Sequence, residues 1–299
     1  MTFSASSPPQ VANVRLFAPE RWGMVARYGN FYESTHELSR QARQALRGIS
    51  AHFDKAEIFR SLAEDLRGGV TLDAEHLHTH GYTEFEHSRK LAAVIESEIQ
   101  ELYSAVDCTR QVVHCLFAKT CRRFPDSTRK TFQAVRDAKL TGLAPELEDA
   151  FANAHWYWQL LHMRDALTHS DTGMCRAAEG NTISYSHAGL SQNGKSLEIS
   201  DIFQRLDSLA TSVNQFIGEV FHYLYGQLRQ EPMRQTCGIF EGRFYFRHVA
   251  PLPDLSFHSG VCGTRHYEAS PGGRRCPLAE QCGAFARADP KDDATNLAR

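Results

Sequence analysis

The residues best suited to chemistry lie in one short run, Arg164-Asp165-Ala166-Leu167-Thr168-His169. An imidazole titrates near neutral pH and can act as general base or acid. A guanidinium presents a planar fork of donors that matches the oxygens of a phosphate. Asp165 can orient a neighbour or bond backbone. Cys237, Cys262, Cys276 and Cys282 form a second constellation, four of the eight cysteines, with Gly263, Gly272, Gly273 and Gly283 close by. Four thiolates make a closed tetrahedral zinc site, which leaves no open position and is structural. An iron–sulfur cluster also takes four cysteines and tolerates uneven gaps. The run contains no Cys-x-x-Cys, so the spacing matches no strong signature; zinc is placed ahead of iron–sulfur, His258 and His266 are further candidate ligands, and free thiols in an irregular subdomain are the plain alternative. A third group, His76, His78 and His80, alternates, so an extended chain would present all three on one side, as a metal site needs. A solvated loop is the simpler reading of it.

Positioning these groups requires a helical scaffold, and the apolar periodicity supplies one. Leu38, Gln41, Ala42, Ala45 and Leu46 suit a helix over 34–47. A second helix is expected over 54–67, opened by an Asp54/Glu57 capping box, with Phe59, Leu62 and Leu66 on one face and Gly68-Gly69 as its stop. Between Gly81 and Pro125 there is no Gly or Pro. Leu91, Ile95, Ile99, Leu102, Val106, Val113 and Phe117 recur at helical spacing there, behind a Thr83/Glu86 capping box. Cys108 and Cys115 read as small hydrophobes on this helix. A shorter helix is expected over 127–139. Pro145 opens the next, and Leu147, Phe151, Ala154, Trp158 and Leu161 form a stripe that reaches Asp165 and then Thr168 or His169. A core-facing stripe that turns polar at its end is the strongest reason to read 164–169 as a site, because burying such groups without partners is costly.

From 175 to 199 the period changes to two, and Asn193-Gly194 marks a hairpin turn. Ser200 caps a last long helix to about Arg229, with Ile202, Leu206, Leu209, Val213, Phe216, Val220 and Leu224 as its stripe. Strand or hairpin is expected over 238–246. The fold class is mainly α, a multi-helix bundle with a small β-hairpin insertion and a small irregular Cys-rich module. The expected divisions are a tail or arm over 1–30, the helical domain over 31–230, the Cys-rich module over 231–285 and a disordered tail over 286–299.

Composition narrows the function classes. Hydrophobic residues at 42% and charged residues at 23% are ordinary for a globular protein. A net charge of −2 rules out a global basic field for nucleic acid, though not a local patch. No apolar run reaches membrane-spanning length, and the N-terminus lacks the basic head and apolar stretch of a signal peptide. The expected compartment is the cytoplasm, where thiols stay reduced, with no membrane partner.

The order of long helices and the Arg164-x4-His169 spacing at the end of one resemble the HEPN superfamily of helical nucleotide- and RNA-associated domains, over roughly residues 30–230. Asp165 fits the polar residue that often follows the arginine there. The same spacing occurs at Arg47/His52 and Arg243/His248, so context and not spacing selects the pair. The resemblance implies an RNA partner, a homodimer with two motifs facing, and metal-independent endoribonuclease chemistry leaving a 2′,3′-cyclic phosphate, with no cofactor for catalysis. It further implies a toxin or phage-defence role, or, in non-catalytic members, a dimeric binding or regulatory module. The Cys-rich region falls outside it.

Overall fold

The computed structural model describes residues 23–169, 172–178, 180, 182–192, 195–240, 242–251, 259–270 and 272–289. Among them are eight α-helices and two three-stranded antiparallel sheets, so the chain is mainly α. It divides into two compact units. One is Glu37–Leu224; the other joins the described residues up to His36 with those from Tyr225 onward.

The larger unit is built on two helices packed side by side, α2 (Arg40–His80) and α3 (Glu86–Phe117). Their 41 and 32 residues correspond to about 60 and 48 Å at 1.5 Å per residue. The two helices expected over 34–47 and 54–67 are one, and Gly68-Gly69 does not end it. A Cβ on Gly69 would come within 2.5 Å of the His87 ring, and one on Gly48 within 3.0 Å of Cys108 Sγ. Both glycines serve the close approach of α3, and that packing outweighs their poor helix propensity. The buried face of α2 mixes small and large residues, Ala42, Ala45, Leu46, Ile49, Phe53, Ala56, Ala63 and Val70, while Leu62 is exposed. The stop is Gly81, in the left-handed region at φ +70°, whose N–H donates to Leu77 O at 2.9 Å.

The expected Thr83/Glu86 capping box is absent. Phe85 is the N-cap residue of α3, and Thr83 Oγ1 accepts from Phe85 N instead. The cap comes from α2: Asp73, 6% exposed, accepts from Ser88 N at 2.8 Å and Ser88 Oγ at 2.9 Å, with His87 Nδ1 at 2.9 Å. One carboxylate thus satisfies a free amide of the first turn and ties the two helices together. Burial alone would raise its pKa; the hydrogen bonds from His87 and Ser88 outweigh that and hold it below the usual carboxylate value. The α3 stripe forms as its periodicity predicts, with Leu91, Ile95, Ile99, Leu102, Val106 and Val113 fully buried.

Next come α4 (Thr128–Arg136), α5 (Pro145–Asn153) and α6 (Tyr157–His169). The single helix expected from Pro145 onward breaks across Ala154–Trp156. The break lets Phe151 and Tyr157 both meet Phe132, at 4.9 and 3.7 Å between ring centroids, while Trp156 and Phe151 meet Phe216. One straight helix would splay these rings onto different faces. The buried face of α6 is Tyr157, Leu160, Leu161, Met163 and Ala166, so Trp158 and Asp165 lie off it.

The expected hairpin is a three-stranded sheet of β1 (Met174–Ala177), β2 (Ile183–Gln192) and β3 (Lys195–Ile199); its Asn193-Gly194 turn lies outside the described residues. Glu96 of α3 fastens it, accepting from Gly173 N at 2.6 Å and Tyr185 Oη at 2.9 Å. A Cβ on Gly173 would lie 2.3 Å from that hydroxyl. The last long helix, α7 (Ile202–Gly226), buries the whole expected stripe from Ile202 to Leu224. Its cap is Asp201 and not Ser200, with Asp201 Oδ1 accepting from Phe203 N and Gln204 N.

In the smaller unit, α1 (Gly23–Phe31) buries Val25, Tyr28 and Phe31. Thr35 Oγ1 accepts from Arg229 N at 2.7 Å, joining the two stretches of chain. The expected strand near 238–246 is a hairpin of β4 (Met233–Phe240) and β5 (Arg243–Val249), extended by β6 (Val261–Cys262). A short α8 (Gly283–Arg287) follows, and Ala288 is buried, so the disordered tail expected from residue 286 does not begin there; residues 290–299 lie outside the described residues. No described helix is long and apolar enough to cross a membrane.

Candidate functional site

Arg164 lies on α6 beside a solvent-open groove with about 1440 Å³ of unfilled space. The groove is walled by α2, α3, the first turn of α4 and the C-terminal half of α6, through residues that include His52, Tyr103, Arg110, Arg129, Arg164 and Thr168. Arg164 is held in two ways. Its Nη1 donates to Asp165 Oδ1 at 2.9 Å, and its guanidinium carbon sits 4.8 Å from the centre of the Tyr103 ring. Both side chains of the pair keep more than a third of their surface, so the bond orients the guanidinium more than it stabilises the fold. His169 is the last residue of α6; its side chain lies outside the described residues, as do Ser170 and Asp171.

Two features of the groove escaped sequence reasoning. His52, half-buried on α2, places Nδ1 2.5 Å from Glu101 Oε2. A carboxylate on one ring nitrogen fixes the orientation of the imidazole, as a proton-transfer histidine requires. Its Arg47/His52 spacing resembles the motif at 164–169, but its access to the groove depends on the packing of α2 against α3. Arg110 is nearly buried and knitted to Thr128 and Asp107, Nε to Thr128 Oγ1 at 3.3 Å and Nη2 to Asp107 Oδ1 at 3.4 Å; Thr128 Oγ1 also donates to Asp107. That network fixes the N-terminus of α4, where Ser127 Oγ caps Lys130 N and Arg129 is exposed. Arg110, Arg129 and Arg164 line the groove together with Asp107 and Asp126, so the lining carries a slight positive excess.

The histidines at 76, 78 and 80 are not gathered. They sit on the last turns of α2, where His76 and His80 stack at 4.3 Å between ring centroids and His78 falls on another side of the helix. His76 Nδ1 is 2.9 Å from Tyr82 O. The extended conformation that would have aligned all three does not occur.

The four C-terminal cysteines, by contrast, come together. Cys237, Cys262, Cys276 and Cys282 all line one cavity in the smaller unit, beside Arg247. All four are free thiols. Burial pushes the Cys237 thiol up to about 12; Arg247 opposes this, and the other three thiols add to it. Among the described residues no group of three or more His, Cys, Asp or Glu side chains is set to hold a single metal ion as it stands. His266 is 4.7 Å from Tyr267, ring centre to ring centre, and does not line the cavity; His258 lies outside the described residues.

No family model, curated protein or solved structure matches the chain. The functional reading rests on this geometry.

Proposed function

We propose that the groove of the larger unit binds an RNA strand and cleaves it without metal. The observation that supports this best is the placement of Arg164 on the wall of an open groove that also holds the His52–Glu101 pair. Arg164 and Arg129 bind the phosphate, and Tyr103 backs the Arg164 guanidinium. One imidazole takes the proton from the ribose 2′-hydroxyl. The 2′-oxygen attacks phosphorus, the bond to the 5′-oxygen breaks, and a second imidazole protonates that leaving oxygen. The products are a 2′,3′-cyclic phosphate and a 5′-hydroxyl. His169, on the same helix as Arg164, and His52 supply the two imidazoles. Arg164 stabilises the charge that grows on the non-bridging oxygens. This is HEPN-like chemistry, and a homodimer facing two such motifs is part of the proposal.

The test is cleavage of single-stranded RNA in excess chelator. Wild type is expected to cut, and His169→Ala and His52→Ala each to lose roughly 10²–10⁴-fold in rate. Arg164→Ala is expected to weaken both binding and cleavage. A wild type that binds RNA without cutting it refutes the nuclease and leaves a non-catalytic binder. Equal binding by wild type and the Arg164→Ala, Arg129→Ala double variant removes the groove from the account.

A further inference from the structure

The four-cysteine cavity suggests a second, separate site, independent of the RNA reading. We propose that Cys237, Cys262, Cys276 and Cys282 ligate an iron–sulfur cluster in the smaller unit.

The first support is topological. The four sulfurs reach one cavity from four different pieces of chain: β4, β6, the coil before Cys282 and the N-cap of α8. Cys262, Cys276 and Cys282 pack in a small apolar cluster with Ala279, Phe285 and Ala288, and with Cys237 they border one shared cavity. Local backbone devices aim them. The β4–β5 register slips between Thr236 and Gly238, so Cys237 is the bulged residue, and a bulge redirects the side chain it carries. Two glycines near Cys262 sit where a side chain would crowd its neighbours. A Cβ on Gly260 would come within 2.4 Å of His248 O, and one on Gly263 within 2.2 Å of the Phe246 ring.

The second support is the spacing of the ligands. A tetrahedral zinc site is usually built from Cys-x2–4-Cys knuckles. No such knuckle occurs here, and the four cysteines reach the cavity across long, uneven gaps. An iron–sulfur cluster is likewise held by four thiolates, brings its own iron and sulfide, and accepts uneven gaps between its ligands.

The third support is electrostatic. The rest of the lining is mainly apolar, including Tyr245, Phe246, Leu278 and Phe285, which suits a cluster kept from water. Arg247, 2% exposed, brings a buried guanidinium to the wall, with Nη1 donating to Ser259 O at 3.1 Å. Four thiolates around an iron–sulfide core of smaller positive charge leave a net anion, and Arg247 is placed to offset it.

The experiment uses the full-length protein, purified without oxygen and treated with ferrous iron and sulfide. Iron, acid-labile sulfide and zinc are counted per chain, and the visible spectrum is taken before and after dithionite. The expected result is iron and labile sulfide in equal amounts, about two to four of each, with a sulfur-to-iron charge-transfer band that bleaches on reduction. Cys276→Ser is expected to lose most of both, whereas Cys115→Ser, on α3 outside the cavity, keeps them. About one zinc per chain without labile sulfide overturns the proposal, and so does less than about half an equivalent of iron after reconstitution. A Cys276→Ser variant that keeps the full cluster overturns the ligand assignment. If that variant is insoluble, the wild-type metal and sulfide count decides alone.

Discussion

Glu98 is a carboxyl in the middle of α3, 2% exposed, and among the described residues its Oε2 has no hydrogen-bond partner. Burial pushes its pKa up to about 8; Arg60 opposes this, and Asp207 and Glu64 add to it. Arg60 is shared with two other carboxylates, its Nη2 lying 3.0 Å from Asp207 and 3.3 Å from Glu64. Glu98→Gln keeps the shape and removes the ionisation. Above its unfolded value near 4.5, Glu98 is charged in the unfolded chain and neutral in the folded one, so the folded state binds the extra proton. Stability therefore falls as pH rises between about 4.5 and 8, by about 1.4 kcal/mol per pH unit, and levels off above 8. The full span is on the order of 5 kcal/mol, and relaxation with water entry brings it to roughly 2–5. The assay is thermal unfolding of both proteins at pH 5, 7 and 9. They should match closely at pH 5. The variant should gain with each step, reaching roughly 5–15 °C at pH 9 for a unit of this size. A variant no more stable than wild type at pH 9, or a gap that does not change from pH 5 to pH 9, refutes the reasoning.

Asp73 works in the opposite sense. Its lowered pKa contributes stability that is present above the unfolded carboxylate value and is lost as pH falls through the folded one. Asp73→Ala is expected to cost about 1–3 kcal/mol at pH 7 by orphaning the Ser88 donors; denaturant unfolding at pH 7 and pH 3 should show the loss shrinking in acid. Gly69→Ala is expected to destabilise by about 1–3 kcal/mol through the His87 contact, despite alanine's better helix propensity. Adding His87→Ala should restore part of that in urea unfolding, and a Gly69→Ala protein as stable as wild type would show that the glycine is not there for close packing.

The sequence by itself determined the helices whose signal is local. The stripes of α3 and α7 were legible because a 3.6-residue period needs no knowledge of the partner. Breaks were less legible. Gly68-Gly69 looked like a stop, yet the missing Cβ admits His87, which lies on the next helix. The smooth stripe from Leu147 to Leu161 concealed a break that the Phe132 and Phe216 rings make favourable. At the groove, Arg164 was readable from residue type, but the stripe expected to carry Asp165 toward the core does not do so, because the break before Tyr157 turns another face of α6 inward; His52 entered only through the packing of α2 on α3, which joins residues far apart in the chain. The cysteines show the same limit. Their number and glycine-rich setting suggested a metal, but uneven spacing along a chain carries no distance in space. Only the strand pairing of β4, β5 and β6 and the return of α8 bring the four thiols to one cavity.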